Sequence, residues 1–154
     1  MRKLTTFLLF VFLVTIFANE SMAQDGVITL ESNYSVEKTT NRLEHALTEN
    51  GLTIFRKVDH QKGATSVDME LPPTTVLIFG NPKLGTPLMQ CAPTVAIDLP
   101  QKMLIWKDQD GHVQVGYNSP DYLKKRHDIK GCDQELQKIT GALKKFAQSA
   151  AGMN

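Results

Sequence analysis

The chain holds only two cysteines, a single tryptophan and almost no excess of charge, with 17 basic against 16 acidic side chains in 154 residues. Two cysteines, Cys91 and Cys132, make no CxxC, no CxxCH and no ligand quartet, and no histidine pair stands at helical ligand spacing. Neither a structural zinc nor a covalent haem is indicated, and no cofactor or metal is implied. The charge balance removes the global field that would draw the protein to a polyanion. The one basic cluster, Lys124-Lys125-Arg126-His127, is short enough to be a solvated helix end. Nucleic acid is therefore not an expected partner. Long hydrophobic runs are missing too. The longest, Phe7 to Ala18 interrupted by Thr15, falls short of the roughly 18 residues that a spanning helix needs.

That run follows a basic Met1-Arg2-Lys3 and precedes the small-x-small triplet Ser21-Met22-Ala23, the pattern of a secretory signal peptide over residues 1–23. The expected mature chain is Gln24 to Asn154, exported and periplasmic or secreted. No cysteine follows the cleavage site, so no membrane anchor is expected after cleavage. A chain of this length suits a single domain with one core. Losing Arg2, Lys3 and Glu20 leaves equal numbers of acidic and basic side chains. In an oxidising compartment Cys91 and Cys132 are a candidate disulfide; the alternative is that both are small packing residues.

The stretch from Phe79 to Leu99 organises the remainder. Thr75 to Phe79 is a short, β-branched apolar run, the pattern of a strand buried on both faces. Gly80, Pro82, Gly85, Pro87 and Pro93 then predict an irregular segment, with Asn81, Lys83, Thr86 and Gln90 supplying polar groups. Irregular backbone held between strands is where binding groups tend to sit, although the same residues are also ordinary turn chemistry. Thr94 to Leu99 alternates, with Val95, Ile97 and Leu99 on one face and Asp98 on the other, and predicts a returning strand.

Elsewhere the periodicities are plain. Gly26 to Leu30 reads as a strand. Ser35 is an N-cap for a helix over 36–50 that Gly51 would stop. Leu52 to Asp59 reads as a strand, followed by a polar stretch ending in Pro72-Pro73 that suits a loop or short helix. Two apolar runs, 102–107 and 112–117, flank Asp108-Gln109-Asp110-Gly111 as a hairpin. Ser119-Pro120 opens a helix. The last helix runs from Asp133 to about Ser149, with Leu136, Ile139, Leu143, Phe146 and Ala147 on one stripe. The order of elements predicts an α+β fold, an antiparallel sheet with helices packed on one face.

The words FGNPKLGTPLMQ, APTVAIDLP, the DxDG turn, YNSP and DYLKKRH, in that order, resemble the domain of unknown function 302 family in its exported branch. The resemblance covers nearly the whole chain after Ser32. It implies a TATA-binding-protein-like fold in strand-helix-four strands-helix order and a homodimer, with no established reaction. The family's characteristic words fall on Asp59-His60, Asn81-Pro82-Lys83, Gly85 to Met89, Asp98-Leu99-Pro100 and Arg126-His127. Similar branches place cysteines where this chain has Gly80 and Gln101, so their thiol chemistry is not carried over, and Cys91 inherits no role.

Asp59, His60, Asn81, Lys83, Thr86, Asp98, Arg126 and His127 are therefore the candidate ligand-binding residues, expected to gather around the central loop as a pocket for a small polar or anionic ligand. Two other functions use the same residues. A hydrolase would draw a carboxylate and a histidine from this set, histidine being the side chain that titrates near neutral pH, yet no nucleophile elbow or phosphate loop accompanies them. A homodimeric interaction module would need no ligand, with Arg126 pairing to Asp98 or Asp59 only to hold the loop.

Overall fold

The computed structural model describes residues 26–153 and the backbone of Ser21 and Met22. The expected signal peptide and its cleavage point after Ala23 lie outside the described residues. Strands are β1 (Ser21–Met22), β2 (Val27–Ser32), β3 (Thr53–Asp59), β4 (Thr74–Gly80), β5 (Gln101–Lys107) and β6 (Val113–Asn118). Helices are α1 (Val36–Glu49), α2 (His60–Thr65), α3 (Pro82–Cys91), α4 (Pro120–Arg126) and α5 (Asp133–Ala151), with a 3₁₀ turn at Pro93–Ile97.

All strand pairs are antiparallel, and the sheet runs β1-β2-β6-β5-β4-β3, in which β1 adds two residues to the outer edge of five longer strands. This is the expected α+β class. Four strands follow α1, in the order the family resemblance implies.

Local chemistry explains where the long helices start and stop. The Ser35 side chain accepts the Lys38 N–H at the head of α1, and Gly51, at φ 71°, takes the left-handed conformation just past its end. Leu43 and Leu47 of α1 are fully buried, which contributes about 1.5–3 kcal/mol each. The Arg42 guanidinium donates to the Ser149 and Ala150 carbonyls, capping the end of α5 from the side of α1. Leu136, Ile139, Leu143 and Phe146 of α5 all face the core, so the apolar stripe is where its periodicity places it.

Three expectations need correction. Strand β4 is not covered on both faces: Thr75, Leu77 and Phe79 are buried while Val76 and Ile78 are only half-buried, because the helices pack on one side of the sheet. The larger correction concerns the Gly/Pro-rich segment, which is helical. Asn81 caps α3 by accepting the Lys83 N–H at 2.9 Å, and Pro82, with its fixed φ and no donor to lose, opens the helix. Pro87 sits inside α3 and leaves the carbonyl of exposed Lys83 without its intrahelical donor. The expected strand at 94–99 is the 3₁₀ turn, which buries Val95 and leaves Ile97 74% exposed, so alternating apolar residues do not share a buried face there.

Candidate functional site

Residues of the central stretch converge on a cavity of about 250 Å³ between α3, α5 and the ends of β3, β4 and β5. Asn81, Leu84, Gly85, Thr86 and Met89 come from α3; Phe79 and Gly80 end β4; Leu99, Pro100 and Gln101 lead into β5; Ile139, Leu143 and Phe146 come from α5. Phe55 stands at the edge, 53% exposed. No charged side chain lines the space. Gly80 and Gln101 both line it.

The eight candidate residues separate into groups. Asn81 and Thr86 line the cavity, Thr86 at its exposed rim. Lys83 is exposed on α3 and is not among the lining. Asp59 and His60 lie at the far end of β3, since Thr53 pairs with Gly80 and Asp59 with Thr75. Seven strand residues at about 3.4 Å each put them roughly 20 Å from Asn81. Asp59 has a local task there: its side chain accepts the Lys62 N–H and caps α2. The sequence expectation of one pocket including Asp59 and His60 is thus corrected; strand length separates them from the rest.

Asp98, Arg126 and His127 do meet. His127 Nε2 lies 2.6 Å from Asp98 Oδ2, Arg126 Nε lies 3.5 Å from the same oxygen, and His127 Nδ1 is 3.2 Å from Thr94 Oγ1. The imidazole is 5% exposed and the carboxylate 14%. Arg126 also donates to the Tyr122 hydroxyl, and Lys102 Nζ donates to the carbonyls of Asp98 and Pro100. This row ties the 3₁₀ turn, which carries Ala96 of the cavity wall, to the end of α4.

The structure also joins Cys91 at the end of α3 to Cys132 at the head of α5 by a disulfide, so both helices that wall the cavity are linked covalently. Among the described residues no three His, Cys, Asp or Glu side chains gather as a metal site.

Residues 28–146 match the family model described as "Domain of unknown function DUF302". The chain belongs to the DUF302 family. A crystal structure of an uncharacterized conserved DUF302 protein from Bacillus stearothermophilus has the same fold, with a TM-score of 0.73 at 17% identity over 80% of this chain and 97% of that one. Curated relatives carry a different kind of name. The "Fluoride-specific ion channel FluC 1" of Brucella suis biovar 1 (strain 1330) and the "Fluoride-specific ion channel FluC 2" of Brucella melitensis biotype 1 are each 40% identical over 109 residues, 71% of this chain. The chain spans less than half the length of those relatives, 43% and 40% respectively. Among its described residues no helix is long and apolar enough to cross a membrane.

Within this DUF302 chain, sequence reasoning reached the stretch from Phe79 to Leu99 but missed the other walls of the cavity. Phe55 carries no motif signal, and Ile139, Leu143 and Phe146 read only as helix core. The available signal was Gln101, a polar side chain on the same strand face as Met103 and Ile105.

Proposed function

We propose that this DUF302 chain is an exported small-molecule-binding module whose site is the cavity under α3. One observation carries the reading: the Asn81–Met89 and Leu99–Gln101 segments, far from α5 in sequence, close over a preformed apolar space against it. The polar or anionic ligand expected from the sequence is replaced by a neutral one, because the lining offers an anion no cation. In the Brucella relatives a similar segment occupies under half of a chain named as a fluoride channel. We place ion conduction there in the remainder, and the DUF302 part beside it as a binding module.

Native mass spectrometry of the chain, isolated from the periplasm without reducing agent, tests this. The expected result is a chain starting at Gln24 that carries a stoichiometric organic adduct, lost when Ala142→Phe fills the cavity. An empty protein, whose fluorescence with an apolar dye is the same in wild type and Ala142→Phe, would sink the reading.

A second reading, hydrolysis, is favoured by the row Asp98–His127–Thr94, in which a carboxylate, an imidazole and a hydroxyl stand in hydrogen-bond reach. Turnover of p-nitrophenyl acetate that disappears in both Thr94→Ala and His127→Ala supports it; equal rates in all three proteins remove it.

A further inference from the structure

Gln101 is the first residue of β5, paired with Phe79, and lies among the side chains lining the cavity. It is 9% exposed, and its Nε2 is the only buried side-chain polar atom among the described residues that has no hydrogen-bond partner. Buried donors are nearly always satisfied, and an orphan is costly to keep. The other amide of the lining is already engaged: Asn81 Oδ1 accepts from Lys83 N–H and its Nδ2 donates to the Gly51 carbonyl. A half-turn of the terminal Gln101 amide exchanges its nitrogen and oxygen without moving the rest of the side chain. That turn puts the NH₂ where the oxygen stands, the less enclosed of the two places, because the oxygen is not among the buried unpartnered atoms.

We propose that Gln101 is the polar anchor of this cavity and that the ligand is a neutral, largely hydrocarbon molecule with one hydrogen-bond acceptor, a carbonyl or an ether or hydroxyl oxygen. This rests on the binding reading above. A space of about 250 Å³ holds on the order of ten non-hydrogen atoms. Phe55, Phe79 and Phe146 present ring faces or edges to it, which suits a flat body, and Met89 is the adaptable wall. An ionised group is disfavoured by the same lining, which offers it one amide dipole and no counter-charge.

The test is an ¹⁵N NMR titration of the exported chain with three probes of nearly equal size: ethylbenzene, acetophenone and benzoate. Acetophenone is expected to shift the amides of Gly80, Gln101 and Ala142 saturably and to bind on the order of tenfold more tightly than ethylbenzene, with benzoate weakest. In Gln101→Leu the advantage of the ketone disappears while ethylbenzene still binds. That variant removes an orphan donor and keeps the volume, so it folds at least as well as wild type. Equal binding of ketone and hydrocarbon to the wild type, or a ketone advantage that survives Gln101→Leu, would each overturn the inference while leaving the binding reading intact; tightest binding of benzoate would overturn the inference and, with it, the neutral ligand of that reading. Failure of all three probes to shift the cavity amides would overturn both.

Discussion

Asp98 receives His127 Nε2 and Arg126 Nε on one carboxylate oxygen, and its own carbonyl accepts from Lys102, so three side chains are positioned through a single residue. Removing it leaves an imidazole that is 95% covered without its partner. Asp98→Ala is expected to lower stability at pH 7 by about 1–3 kcal/mol, read from the shift of the urea midpoint. Arg126→Ala, whose guanidinium is half exposed, is expected to cost under about 1 kcal/mol, since water replaces most of what the pair supplies. The contrast between these two variants distinguishes a buried tie from a surface ion pair. Gln101 is the opposite kind of residue, a polar group with capacity unused, and that difference separates the structural cluster from the candidate binding group.

At the scale of elements, α3 depends on its attachments. It carries an internal proline, buries one leucine fully, and ends in the Cys91–Cys132 bridge to α5. Cross-linking residues 41 apart in sequence removes chain entropy from the unfolded state worth about 4 kcal/mol. Reduction with dithiothreitol is expected to lower the stability by about that amount, read as a fall in melting temperature, and to make the amides of α3 exchange with solvent before those of α1 and α5.

The β5–β6 turn is held differently. The Asp108 carboxylate accepts from the Gln114 side chain and from the His112 and Asp110 N–H groups, and these bonds, Gln114 first, hold its pKa below the ordinary carboxylate value. A carboxyl depressed in the folded state stabilises fully above its unfolded value near 3.8 and stops doing so as pH falls through the lower, folded value. Asp108→Ala is therefore expected to lower the melting temperature at pH 7 and by distinctly less at pH 2.

For the whole molecule, the cavity and the core share a wall. Leu143, 2% exposed, contacts the sheet-side core and lines the cavity at once. Leu143→Ala is expected to cost about 2–5 kcal/mol by lost burial and incomplete collapse of the site. One urea transition with an unchanged m-value would show that the sheet and its helices still unfold together. The cavity is a shared boundary of two helices and three strand ends, so no element can be altered there without the others registering it.

Short-range patterning was enough to place α1, α5, β4 and the β5–β6 hairpin: the two helices repeat their apolar residues at 3.6, β4 is an unbroken apolar run, and α1 and the hairpin carry their own cap or turn residues, Ser35, Gly51 and Asp108. It also drew attention to the central stretch, half of whose named residues reach the cavity wall. It gave a strand at 94–99 where the structure has the 3₁₀ turn: Val95 and Ile97 alternate correctly but only one is covered, and that depends on what packs above them. Nor could it join Asp98 to His127, 29 residues on, or part Asp59 from Asn81 by the length of a strand. The cavity itself exists only after α5 has folded back over the ends of β4 and β5. Sequence patterns encode which face of an element is apolar, whereas which faces meet, and what gap they leave, is settled by contacts between segments that are distant along the chain.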